Sequence, residues 1–151
     1  MTRIVALVCL LMLGGCSYSY DILAKMIDGR LTFVVSPHSF RKPASCLTMV
    51  MVAQDPQSDG QSGTNGEGEA AHEGIVWWDE VGRECSTRFP VTYGVGLVGS
   101  PRSPEAEARQ IDAKPLTPGI IYEVHITSGS TGYGVGRFRL AASGGVENLP
   151  Q

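Results

Sequence analysis

The chain has 151 residues and a formal net charge of −3, from 12 basic and 15 acidic side chains. A mildly acidic chain with no Lys/Arg cluster carries no electrostatic footprint for nucleic acid and offers no polybasic stretch to anionic lipid. No apolar run reaches the roughly 20 residues that a membrane-spanning helix needs, and the length suits one domain with a real core.

The first element lies at the N-terminus. Arg3 supplies a short positive start, and residues 4–13 form an unbroken apolar run that ends in Leu13-Gly14-Gly15-Cys16. A run of about ten apolar residues followed by small ones has the proportions of a signal-peptide core and cleavage site. The segment resembles a bacterial lipoprotein signal peptide, with Leu13-Gly14-Gly15-Cys16 standing where such proteins carry the lipobox. The resemblance implies export, cleavage before Cys16 and acylation of its thiol. One acyl chain binds a membrane reversibly, at ~0.8 kcal/mol per buried methylene, and several together anchor stably. Ser17, rather than an aspartate, at the second mature position implies an outer-membrane protein facing the periplasm. Residues 1–15 are thus expected to be a signal peptide and 16–21 a lipidated tether. Residues 22–142 are expected to form the folded domain and 143–151 a C-terminal tail.

Beyond the tether the apolar periodicity is mostly two. Residues 21–27 read as a weak strand and 31–35 as a stronger one. Residues 46–53 are apolar on both faces, as in the middle of a sheet. Residues 54–73 hold Gly, Ser, Asp, Asn and Glu with almost nothing apolar, and read as a long mobile loop. Residues 74–78 follow as a strand. Residues 89–97 place five apolar side chains in strict alternation, the clearest strand by pattern, with Pro90 at an edge or start. Residues 103–108 begin with a serine cap and a proline, a short helix; 109–113 form a weak strand. Residues 120–127 put Ile120, Tyr122, Val124 and Ile126 on one face and Glu123, His125 and Thr127 on the other. Residues 133–140 are the last strong strand, with a phase shift that predicts a bulge near Gly136.

Many short strands between Gly/Pro turns predict an all-β domain. The expected form is a seven-stranded (six to eight) antiparallel β-sandwich. Leu116-Thr-Pro-Gly-Ile-Ile-Tyr122-Glu-Val124 is similar to the tyrosine corner entering the sixth strand of fibronectin type III domains. The resemblance implies an immunoglobulin/fibronectin III-like sandwich in which Pro118-Gly119 turns and the Tyr122 hydroxyl reaches an upstream backbone group. A transthyretin-like sandwich is the other topology in view.

With Cys9 in the signal and Cys16 acylated, Cys46 and Cys85 remain. They are expected to bond in an oxidising compartment; two free thiols or half a metal site are the competing readings. Tyr-Gly-Val-Gly occurs twice, at 93–96 and 133–136. If the two copies pair, their glycines line a bare groove, and Trp77, Trp78, Tyr93 and Tyr133 become candidate ligand-binding residues. No serine stands in a Gly-x-Ser-x-Gly elbow. His38, His72 and His125 are scattered, and Asp79 and Glu80 face opposite sides of a strand. No catalytic residue, metal ligand or cofactor is therefore expected. The expected function is non-enzymatic: a membrane-anchored periplasmic lipoprotein serving as an interaction or structural module, with a protein partner in the cell envelope, for example as an accessory of an envelope or secretion assembly. The alternative is a periplasmic binder of a small ligand or glycan at the tryptophans and the glycine-lined face.

Overall fold

The computed structural model describes residues 17–55, 74–82, 84–100 and 103–151. Cys16, the signal segment and residues 56–73 of the expected loop lie outside them. The chain is all-β. In order it forms β1 (Tyr18–Ile27), β2 (Arg30–Val35), β3 (Leu47–Gln54), β4 (Ile75–Glu80), β5 (Val91–Thr92), α1 (Pro104–Arg109), β6 (Ile121–Ser128), β7 (Gly132–Leu140) and β8 (Val146–Leu149). Asp28 (φ 50°) and Gly29 (φ 73°) join β1 to β2. Positive φ at both central positions suits the right-handed twist of a tight hairpin. Ser103 caps α1, its hydroxyl accepting from the Ala106 N–H at 3.3 Å, and proline opens the helix as expected.

The strands lie in one curled, mixed sheet in the order β4-β3-β6-β7-β1-β2-β5, with β8 also on β7. The expected strand number is met, but the pairing is not wholly antiparallel. Tyr18 to Asp21 of β1 run parallel to Gly132 to Val135 of β7. These four β1 residues are the ones expected in a tether. They are sheet because Tyr20 and Tyr18 find seats on the glycines of β7, described below. Past Asp21, β1 leaves β7 and pairs with β2 from Ile22 onward, while β8 takes its place beside β7 from Arg137 to Leu140. At the divergence the Asn148 side chain substitutes for a strand. Its Oδ1 accepts from the Ala24 N–H at 2.7 Å and its Nδ2 donates to the Ala24 carbonyl at 2.9 Å. The expected tail, 143–151, thus contains a paired strand.

The inner face of the curl is the core. Phe33, Leu47, Val50, Val52, Val124 and Phe138 are fully buried, with Phe33 edge-on to Phe138 at 5.6 Å and Tyr122 stacked on Phe138 at 5.7 Å. The two ends of the strand order meet through side chains. Trp77 of β4 packs edge-on against Tyr93, just after β5, at 5.2 Å. The Tyr93 hydroxyl donates to the Lys114 carbonyl at 2.7 Å. The tyrosine corner forms: Pro118 and Gly119 (φ 87°) make the turn, and the Thr117 N–H donates to the Tyr122 hydroxyl at 2.9 Å. Proline before a positive-φ glycine is the type II arrangement.

Three strand expectations are corrected. Residues 89–97 give only the two-residue β5, because Gly94 (φ 76°) turns the chain and the Leu97 N–H goes to the buried Asp79 carboxylate at 2.6 Å rather than to a ladder. No bulge occurs near Gly136, since β6 and β7 stay in register from Ile121↔Arg139 to Ser128↔Gly132. The apparent phase shift has another cause. Gly132, Gly134 and Gly136 face inward with Phe138, while Tyr133 and Val135 face out. Of the residues expected as a weak strand at 109–113, Ile111 alone bridges, to Trp78.

Candidate functional site

Cys46 and Cys85 are disulfide-bonded, with Cα atoms 5.7 Å apart. The bond ties the residue before β3 to the irregular segment ahead of β5, where the Leu47 N–H also donates to the Thr87 carbonyl at 2.9 Å. Cys16 lies outside the described residues. Among the described residues, no three His, Cys, Asp or Glu side chains are grouped to hold a metal ion.

The four aromatic candidates do not converge. Trp77 is 3 % exposed, inside the core against Tyr93. Trp78, its neighbour along β4, points to the outer face under the Arg109 guanidinium, 5.8 Å from the ring centre. Tyr133 is 48 % exposed on the outer face of β7. The two Tyr-Gly-Val-Gly copies do not pair, because β5 joins β2 while β7 joins β6, β1 and β8. The glycine stripe of β7 is instead occupied from within. Tyr20 lays its ring across Gly134, and its hydroxyl donates to the Ile126 carbonyl on β6 at 3.1 Å. Tyr18 lies on Gly132, and the backbone of Ile22 on Gly136.

Burial raises the Tyr93 hydroxyl to a pKa of about 12, with the nearby Tyr122 adding to the shift. The neutral form is therefore favoured by folding. Its contribution to stability is complete below the ordinary tyrosine value near 10 and is lost as pH rises through about 12. Urea midpoints are expected to fall between pH 9.5 and 11.5, and less steeply in Tyr93→Phe. Equal slopes in both proteins would refute this role.

What the fold does assemble is an outer sheet face. Strand register sets Trp78, Met51, His125, Val135 and Asp21 in one row across five strands. The adjacent row is Glu80, Met49, Thr127, Tyr133 and Ser19. Trp78, Met49, Met51, His125 and Val135 are half-buried. A sequence apolar on both faces over 46–53 leads one to expect both faces covered. Nothing in the local pattern distinguishes a covered face from a free one, and Met49 and Met51 escape sequence reading for that reason. His125, expected to be solvated on the polar face of its strand, has its Nε2 3.2 Å from Glu123 Oε2.

One flank of this face is charged and structural. Arg137 pairs with the buried Asp55 carboxylate, lies 3.7 Å from Glu123, and donates from Nη1 to the Pro150 carbonyl at 3.0 Å. This joins the end of β3 to β7 and the C-terminal residues. A buried carboxylate needs such a partner to be tolerated. Tryptophan, tyrosine and methionine enriched between polar groups is the composition of protein interaction surfaces, and methionine adapts its shape to a partner. No protein family, curated protein or solved structure was found to match the chain.

Proposed function

We propose that this chain is a lipid-anchored lipoprotein of the cell envelope, held at the outer membrane facing the periplasm, whose all-β domain is a non-enzymatic interaction module. The observation that carries the reading is Leu13-Gly14-Gly15-Cys16 at the end of an apolar run, two residues before the first strand. The outer face built on Met49, Met51, Trp78 and Tyr133 supports a protein partner in the envelope, an accessory role in an envelope or secretion assembly being one form of it. The tyrosine corner at Tyr122 supports the finer fold reading, a sandwich of the fibronectin type III kind curled from this sheet.

Mass analysis of the mature N-terminus and membrane fractionation test the anchor. Acylated Cys16 in the outer-membrane fraction is expected, with Cys16→Ala accumulating as unprocessed precursor; an unmodified, freely soluble wild type would overturn it. For the module, a photoreactive residue at Tyr133 is expected to crosslink one envelope protein in cells. Met51→Glu should abolish that crosslink in protein whose circular dichroism and cooperative unfolding show the fold retained. An unaltered crosslink would remove the face from the proposal.

A further inference from the structure

If Cys16 carries lipid, Ser17 alone stands between it and Tyr18, whose N–H is already bonded to the Thr131 carbonyl at 2.9 Å. Two residue steps span about 7 Å. The anchored domain therefore has no slack, and whatever surrounds Tyr18 lies at the bilayer.

What surrounds Tyr18 is a tightly bonded loop, residues 36–45. The Ser36 N–H donates to the Asp21 carbonyl at 2.8 Å. Ser39 Oγ accepts from the Asp21 N–H at 3.1 Å and donates to the Arg41 carbonyl at 2.8 Å. The Ala44 N–H donates to the Tyr18 hydroxyl at 3.2 Å. With Ser36 and Ser39 held inside, Phe40 is turned out and is 96 % exposed, the most exposed large apolar side chain among the described residues. Arg41 and Lys42 follow it. Lys42 and Arg88 line one cleft of about 210 Å³ with Val35, Pro43, Ser45 and Phe89. Arg109, Arg137 and Arg139 each pair with a carboxylate elsewhere in the fold. Among the described residues, none of the ion pairs involves Arg41, Lys42 or Arg88. Among the described residues near this loop, Asp21 and, next to the Cys46–Cys85 bond, Glu84 are acidic and exposed. Sequence alone shows no polybasic stretch because Arg88 is distant along the chain; the fold brings it to Lys42.

We propose that this end of the domain lies on an anionic phospholipid surface, with Phe40 entering the headgroup–acyl boundary and Arg41, Lys42 and Arg88 meeting lipid phosphates. The proposal rests on the anchor reading above. An amphipathic aromatic–cation surface is held at an interface by apolar burial plus attraction to anionic lipid. The lipid on Cys16 supplies the attachment, and this surface fixes which way up the domain sits.

The test uses the full chain carrying Phe40→Trp, isolated from membranes and reconstituted into vesicles with brominated acyl chains; the exposed site tolerates the larger ring. The wild type in the same vesicles supplies the background from Trp77 and Trp78. In phosphatidylglycerol-containing vesicles the emission of the added indole is expected to shift to the blue and be largely quenched. The quenching should be lost in pure phosphatidylcholine, at 1 M salt where screening acts within about 3 Å, and in Arg41→Glu/Lys42→Glu/Arg88→Glu, although all samples still float with the vesicles. Floating protein in which the added indole stays red and unquenched overturns the proposal, as does quenching indifferent to lipid charge. Shielding seen only in native envelope membranes assigns the surface to a protein instead and also overturns it. Failure to float with an unmodified Cys16 is the separate failure of the anchor, read by mass, and removes this proposal's premise.

Discussion

Gly136→Val is expected to destabilise the domain by about 3 kcal/mol or more, the upper end of what overpacking costs. A Cβ at Gly136 would run into the backbone carbonyl of Ile22, with the Ile22 carbonyl carbon 3.1 Å and its Cβ 3.2 Å away. A backbone obstacle cannot rotate aside. Ile22 is also where β1 passes from β7 to β2, so its displacement disturbs both pairings. Gly145→Ala is the control, since its Cβ would meet nothing closer than the Ser143 hydroxyl at 3.8 Å, and a change within about 0.5 kcal/mol is expected there. Urea midpoints measure both. An unshifted midpoint for Gly136→Val would mean that β1 does not lie on the glycines of β7.

Reduction of the Cys46–Cys85 bond is expected to cost roughly 4 kcal/mol in the chain-entropy account of such a loop, whose ends are 39 residues apart. In a domain of this size each kcal/mol moves Tm by about 3–5 °C, so a fall of around 15 °C should follow. The loss concentrates on the segment from Glu84 to Ser100. Its regular structure is the two-residue β5 and one isolated bridge, Cys85 to Gly99. Calorimetry with and without reductant reads the shift, and peptide mapping of the oxidised protein should return Cys46 joined to Cys85. A Tm insensitive to reductant would contradict the role given to the bond.

These two features also mark how far the sequence can be read. The disulfide follows from counting cysteines. The inward face of β6 follows from Tyr122, Val124 and Ile126, because a two-residue period with one buried face leaves a clear pattern. The same rule fails on β7. There the inward residues are glycines, and the seat they make is filled by Tyr20 from a strand over a hundred residues away; a periodicity count over one strand has no access to that partner. It fails again at residues 89–97, where alternation is perfect but glycine spacers let the chain turn and Asp79 takes a ladder donor. The outer face is legible only through register. Trp78, Met51, His125 and Val135 carry no signal one at a time and become neighbours only when four strands are laid side by side. Asn148 gives no hint at all, since its task is to complete the backbone bonding of a strand that another strand has just left.

The curl closed by Trp77 and Tyr93 restricts how other chains can attach. A sheet with two ends ordinarily offers two open backbone rims, and a foreign strand can extend either of them. Here one rim, β4, is already engaged by Ile111, which exchanges both backbone bonds with Trp78, and by the Lys114 N–H on the Val76 carbonyl. The other, β5, is two residues long, too short to template an added strand. Among the described residues, strand addition is closed off at these two ends of the sheet order, and there any partner must recognise side chains. Selectivity at these rims is then written in the side chains the domain displays, where single substitutions can retune it.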